Sequence, residues 1–591
     1  MRFIAIICGV LLGGAATAQQ AADAVAPEAA SAGRFEAISP PVAAALEAKA
    51  AGRPVKAQKW MVAAANPHAV QAGADVLARG GTAADALVAV QAMLGLVEPQ
   101  SSGLGGGAFL VWYDAATGKV TTLDGRETAP LAATPRLFQD ADGEPLKFFD
   151  AVVGGLSVGT PGTPALMAEV HARWGNQDWQ SLLTPAAELA EAGFPVSPRL
   201  AELVAGDVER LSRAADTAAY FLPEGAPIAA AAVLRNPAYA NTLRAFAKEG
   251  AAAFYGGEIG KQIVAAVQGA SQPGVLSEMD LAIYRVKERA PVCAPYRGHE
   301  VCGMGPPSSG AVAVGQILGM LERFDLAAGP QDAEVLRLIG DASRLAFADR
   351  GRYLADSDFV PVPVKGLLDR AYLKSRSDLL TGDDALPEVA PGAPAFDHAL
   401  NWADDQSIEL PSTSHVSIVD PMGNVASMTT TIENGFGSRV MAAGFLLNNE
   451  LTDFSFRSHV DGVPVANRVE PGKRPRSSMA PTIVLKDGAP VLAVGSPGGS
   501  RIIGYVAGAI IAHLDWGMDV QQAVAAPHAV NRFGTFDLEE GSAIEPMAGP
   551  LQELGFETNL RALTSGLHMV AIGENLSGGA DPRREGIALG D

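Results

Sequence analysis

Thr413 opens the run Thr413-Ser414-His415-Val416-Ser417-Ile418-Val419-Asp420, which alternates apolar and polar side chains as a half-buried strand does. A threonine hydroxyl attacks a carbonyl only when a base takes its proton, and an α-amino group on the same residue can be that base. That chemistry needs the chain cut before Thr413. Residues 381–412 carry seven acidic residues, four prolines and no Lys or Arg, which reads as an exposed, poorly structured linker. A linker that stops at a Thr on a core strand is what a chain opened between Ser412 and Thr413 requires.

Other segments have chemical potential and a plain alternative each. In Val494-Gly495-Ser496-Pro497-Gly498-Gly499-Ser500, an apolar strand (Val491–Val494) leads in and an apolar helix (Arg501–Leu514) leads out. Adjacent glycines before a helix expose N–H groups that hold an anion or a developing oxyanion; a structural turn is the other reading. Lys473-Arg474-Pro475-Arg476-Ser477-Ser478-Met479 joins three cations to two hydroxyls, or is a solvated turn. Asn448–Phe454 gathers amides with Glu450 and Asp453, or is only a turn. Asp124-Gly125-Arg126-Glu127 ends a strand, with a surface ion pair as its plain reading. Gly155-Leu156-Ser157-Val158-Gly159 matches a nucleophile elbow and keeps a Ser157 serine hydrolase as a rival, although a tight loop explains so short a match in a Gly-rich chain. Leu104–Gly107 precedes a strand instead of following one, so it is no dinucleotide loop. CxxC and HExxH are absent and the nine His are scattered, so no metal is expected.

These groups need a framework, and the composition supplies one. Of 591 residues 48% are hydrophobic and 18% charged, which suits a folded chain with a sizeable core. A net charge of −21 disfavours nucleic acid as a partner. Arg2, the apolar run Phe3–Leu12 and Ala16-Thr17-Ala18 have the parts of a secretory signal over residues 1–18, too short to span ~30 Å of hydrocarbon. No later segment is apolar for long enough to span. Residues 19–57, rich in Ala and Pro, read as a loose leader. Pro67–Arg79 reads as a helix ended by Gly80-Gly81, and Thr82 with Asp85 as a capping box opening Ala83–Leu96. A strand is expected at Ala108–Tyr113.

Pairing follows from connection lengths. A five-residue connection, 420–424, pairs Val419 with Val425 and sets Thr413 opposite Thr431; a four-residue connection shifts this by one. A two-residue turn at Arg297-Gly298 sets Cys293 opposite Cys302 in a non-hydrogen-bonded pair. An oxidising compartment would allow a bridge there; two packed thiols are the alternative.

Together the segments Asp124–Pro130, Thr413–Asp420, Leu446–Phe454, Lys473–Pro481 and Gly495–Ile502 resemble, in order, the γ-glutamyltransferase (γ-glutamyl transpeptidase) family. The resemblance implies an N-terminal-nucleophile αββα sandwich, an autocatalytic cut between Ser412 and Thr413, and a heterodimer of a large subunit (58–412) and a small subunit (413–591). It implies Thr413 as nucleophile, Thr431 as its orienting partner, and Gly498 and Gly499 as oxyanion donors. Arg126, Ser477 and Ser478 would hold the donor α-carboxylate, and Glu450 and Asp453 its α-ammonium. Glu433 stands where many members have Asn, and is read as another ammonium contact. Only 19 residues separate Asp453 from Lys473, so the chain resembles the lidless bacterial kind. The expected activity is transfer or hydrolysis of glutathione-like γ-glutamyl amides, with water, amino acids or peptides as acceptors, without a cofactor, in the periplasm or outside the cell. A glutaryl-type acylase of the same family is the near rival; it would leave the carboxylates at 433, 450 and 453 poorly used.

Overall fold

The computed structural model describes residues 35–398 and 401–591, together with Gln19 and Asp23. The expected signal, 1–18, lies outside the described residues. Among those described, two antiparallel sheets of seven strands face each other. The first runs Ile587–Gly590, Met61–Ala64, Ser414–Val419, Val425–Thr431, Gly107–Asp114, Lys119–Gly125, Lys287–Arg289. The second runs Val55–Ala57, Leu576–Ala580, His568–Ile572, Ala489–Gly495, Thr482–Lys486, His299–Gly303, Val292–Tyr296.

The strand sequences build this sandwich through their period of two. Val416, Ile418, Ala426 and Met428 pack with Leu87, Val90 and other residues of the helix Ala83–Val97 on the outer face of the first sheet. Their neighbours Val419 and Val425 turn inward and meet Ile483, Ala493 and Val570 of the second sheet. Val484, Leu492 and Val494 face outward again, against Val506 and Ile510 of the helix Ile502–Leu514. The layers are therefore helix, sheet, sheet, helix. Thr413 and Thr431 have the parity of Val419 and Val425, so both belong to the face between the sheets.

The hairpin register is the expected one: Val419 pairs with Val425 and Ser414 with Thr430, which extends to Thr413 opposite Thr431. Asp420 closes the turn by accepting from the N–H groups of Met422 and Asn424, both at 2.9 Å. Cys293 pairs with Cys302, and the two are joined by a disulfide with Cα atoms 4.0 Å apart. The capping box at Thr82 and Asp85 is present in both directions.

One expectation fails and another holds only in part. Residues 40–57 are not loose: Pro40–Ala50 is a helix capped by Ser39, with Val42 and Ala45 buried, and Val55–Ala57 pairs with the strand Leu576–Ala580. Alanines are strong helix formers and a proline at the first helical turn is tolerated, so this composition suits a helix once a surface receives it. The acidic stretch 381–412 is irregular in backbone and largely exposed over 381–398, as expected, but at its end Trp402, Glu409, Leu410 and Ser412 are buried. Acids at this end are paired from elsewhere, Asp405 by Arg476 at 2.7 Å and Asp404 by Arg352 at 2.8 Å. A segment without cations of its own need not be solvated.

Candidate active site

Thr413 sits just before its strand with φ at 90°, a left-handed conformation that crowds a β-branched side chain. Such strain costs on the order of 1–3 kcal/mol and persists only where the surroundings enforce it. Arg584 helps to enforce it by donating to the Thr413 carbonyl at 3.1 Å. The Thr413 Oγ1 lies 3.1 Å from Thr431 Oγ1. Thr431 Oγ1 also accepts from the Glu433 N–H at 2.8 Å, which fixes its hydroxyl next to the nucleophile position.

The Pro497-Gly498-Gly499 turn closes over the bond preceding Thr413. The Gly498 N–H donates to the Ser412 carbonyl oxygen at 3.2 Å. Gly498 and Gly499 have φ of 134° and 56°. A Cβ at Gly499 would stand 2.7 Å from the Leu410 oxygen, so the turn tolerates only glycine at this approach.

Arg126, at the end of the strand Lys119–Gly125, points into the same cavity, which Thr413, Thr431, Glu433, Glu450, Asp453, Ser477, Ser478 and Gly499 also line. Its guanidinium is ion-paired with Glu450 and Asp453 and donates to the carbonyls of Pro475 (3.2 Å) and Arg476 (3.0 Å). Burial pushes the carboxyls of Glu433, Glu450 and Asp453 well above the usual range, with Arg126 opposing this for the last two. Buried Glu127 adds a further acid whose carboxyl is also raised by burial. The pocket thus holds more acids than Arg126 can neutralise. Glu450 Oε2 and Asp453 Oδ1 are buried without a hydrogen-bond partner, an arrangement that a cationic donor of several hydrogen bonds would complete.

The structure brings the sequence-selected residues Arg126, Thr413, Thr431, Glu433, Glu450, Asp453, Ser477, Ser478 and Gly499 together, with Gly498 on the bond before Thr413. It does not bring Ser157 to them. That hydroxyl is fully buried and donates to the Val152 carbonyl at 2.7 Å, a loop-closing bond. Lys473, Arg474 and Arg476 are buried rather than solvated. Arg474 reaches the Asp124 carbonyl at 2.8 Å, and Arg289 pairs with Asp124 at 2.7 Å, so these charges brace the turn that carries Arg126. Sequence reasoning missed Arg350, Glu409 and Asn449. Arg350 pairs with Glu409 and donates to Ser478 Oγ at 2.7 Å, and Asn449 donates to Glu433. Asn449 lies in a segment read for its chemistry and Glu409 in one read only as a linker; Arg350 stands near the end of the helix Ala333–Tyr353 with no local motif.

A helix–sheet–sheet–helix sandwich with a threonine at the head of a central strand, on the inter-sheet face, defines an N-terminal-nucleophile hydrolase fold. Residues 69–591 match the family model for gamma-glutamyltranspeptidase. The chain is 38% identical over 545 residues to the glutathione hydrolase proenzyme of Bacillus subtilis (strain 168), covering 90% of this chain and 91% of that one. It is 36% identical over 537 residues to the glutathione hydrolase proenzyme of Escherichia coli (strain K12), covering 88% and 90%. A crystal structure of cephalosporin acylase from Bacillus halodurans is similar with a TM-score of 0.81 at 27% identity, over 91% of this chain and 97% of that one. The chain belongs to the gamma-glutamyltranspeptidase family.

Proposed function

We propose that this chain is an exported precursor that cuts itself between Ser412 and Thr413 and then hydrolyses or transfers γ-glutamyl groups from glutathione-like amides. The observation that carries this reading is the Gly498 N–H on the Ser412 carbonyl, with the Thr413 hydroxyl beside Thr431. In the first reaction Thr413 Oγ1 attacks the Ser412 carbonyl carbon, and Gly498 stabilises the oxyanion. The hydroxyl proton passes to the Thr413 nitrogen as the C–N bond breaks and an ester forms, and water hydrolyses that ester to a Ser412 carboxylate and a free Thr413 amine. Relief of the 90° φ favours this step, because residue 413 then no longer has a preceding carbonyl to clash with.

In the second reaction the new amine takes the proton of the Thr413 hydroxyl, which attacks the donor's γ-carbonyl. The leaving amine departs with a proton, and water or an amine acceptor then takes the acyl group. Arg126, Ser477 and Ser478 serve the α-carboxylate, and Glu433, Glu450 and Asp453 the α-ammonium. The names of the glutathione hydrolase relatives support this activity. Large subunit 58–412 and small subunit 413–591 stay together because strands of both are hydrogen-bonded to one another in each sheet. The Cys293–Cys302 disulfide supports a periplasmic or secreted location.

Glutaryl-amide cleavage is the alternative, favoured by the likeness to a cephalosporin acylase. The surplus of buried acids speaks against it, since a glutaryl group brings no cation to them. Turnover of matched γ-glutamyl and glutaryl anilides decides: the γ-glutamyl compound is the better substrate on this reading, and preference for glutaryl refutes it.

A further inference from the structure

We propose that the carboxylate of Glu409 is an internal ligand of the donor pocket. It fills a subsite made by Arg350 and Ser478 that passes to the donor α-carboxylate once the chain is cut. The proposal rests on the γ-glutamyl reading above and adds Arg350 to the residues that select the donor.

Arg126 is heavily committed. Glu450 and Asp453 take its two terminal nitrogens, and the Pro475 and Arg476 carbonyls take further N–H groups. A donor carboxylate reaching only Arg126 must displace one of the acids meant for the ammonium. Arg350 is arranged differently. Its Nε is fixed by Ser309 Oγ at 2.8 Å, while one terminal nitrogen serves both Glu409 and Ser478. Ser478 donates in turn to the other carboxylate oxygen of Glu409, and Arg476 stands 3.8 Å away. A carboxylate already lies between a guanidinium and a serine hydroxyl, the chemistry expected of an α-carboxylate subsite. All three side chains are at least 95% buried. Glu409 and Ser478 line the same cavity as Thr413.

Glu409 lies three residues before the scissile carbonyl. In the uncut chain it is tethered, and Gln19 brackets its backbone with two 3.0 Å bonds. After the cut it belongs to a free chain end that is lost from the pocket whenever a better ligand arrives. The tail then acts as a competitive, dissociable inhibitor, and the donor takes its place on Arg350.

The test uses processed protein carrying Glu409→Gln, so that its own tail competes weakly. A fluorescein-labelled peptide with the sequence of residues 403–412, and its counterpart with Gln in place of Glu at 409, are titrated by anisotropy. The Glu peptide is expected to bind at least tenfold more tightly and to be displaced by a γ-glutamyl anilide. Equal binding of the two peptides overturns the proposal, whatever Arg350 variants do. Arg350→Gln is expected to raise KM for the γ-glutamyl anilide at least tenfold with a smaller effect on kcat, with Arg350→Lys between it and wild type. A KM within twofold of wild type overturns the assignment, and so does a loss confined to kcat. Because anisotropy needs no turnover, an enzyme that binds the Glu peptide but ignores γ-glutamyl anilides refutes the γ-glutamyl reading and not the subsite.

Discussion

The Gly498 N–H donates at 3.2 Å to the Ser412 carbonyl oxygen, so the uncut chain already presents the bond before Thr413 to the donor proposed for substrate turnover. On the proposed mechanism one device serves both reactions. Gly498→Ala should impair both, since the added Cβ would meet the Tyr505 ring at 2.7 Å and the φ of 134° strains any other residue. Loss of an oxyanion donor typically slows such chemistry about 10²–10³-fold. Accumulation of uncut chain on a denaturing gel is the expected result; processing at the wild-type rate would remove Gly498 from the mechanism.

The turn and its place beside Thr413 were partly legible in the sequence. Apolar strand, Gly-Gly and apolar helix are local signals, and the five-residue turn sets the Thr413–Thr431 register by counting. The Cys293–Cys302 pairing was legible for the same reason. Arg350 and Glu409 were not, because they meet across 59 residues and neither stands in a chemical motif. The helix at Pro40–Ala50 was misread because composition alone does not reveal that a folded surface waits for two of its side chains. Glu127 and Lys473 were underrated because a charged residue in a turn reads as solvated until its buried partners are known.

Arg126→Ala removes the cation that faces Glu450 and Asp453. Truncating one partner of a desolvated charged contact costs roughly 2–5 kcal/mol, so kcat/KM for a γ-glutamyl anilide should fall about 10²-fold or more. Self-cleavage should be less affected, because the uncut chain holds its own carboxylate, Glu409, on Arg350 and Ser478 and not on Arg126. Steady-state kinetics and gel densitometry on one preparation separate the two effects.

Asp453→Ala should narrow the preference for γ-glutamyl over glutaryl anilides, since only the former carries an ammonium. An unchanged ratio would place the ammonium elsewhere.

Burial raises the carboxyls of Glu433, Glu450 and Asp453, so in the empty site they are protonated further up the pH scale than ordinary acids. A neutral carboxyl holds an ammonium poorly. The γ-glutamyl to glutaryl ratio of kcat/KM should therefore rise as pH climbs above the usual carboxylate range, as these groups ionise while the donor amine keeps its proton. A flat ratio would show that these acids are already ionised or do not meet the ammonium.

The central claim is that Thr413 is both the point of cleavage and the nucleophile. Its most direct test is intact mass and N-terminal sequencing of the purified protein after exposure to a slowly turned-over γ-glutamyl donor. The account predicts two fragments, the smaller beginning Thr-Ser-His-Val-Ser and carrying a γ-glutamyl ester on its first residue, with Thr413→Ala giving one uncut, unacylated chain. An active protein that stays in one piece, or one whose acyl group lies on a residue other than Thr413, would contradict it.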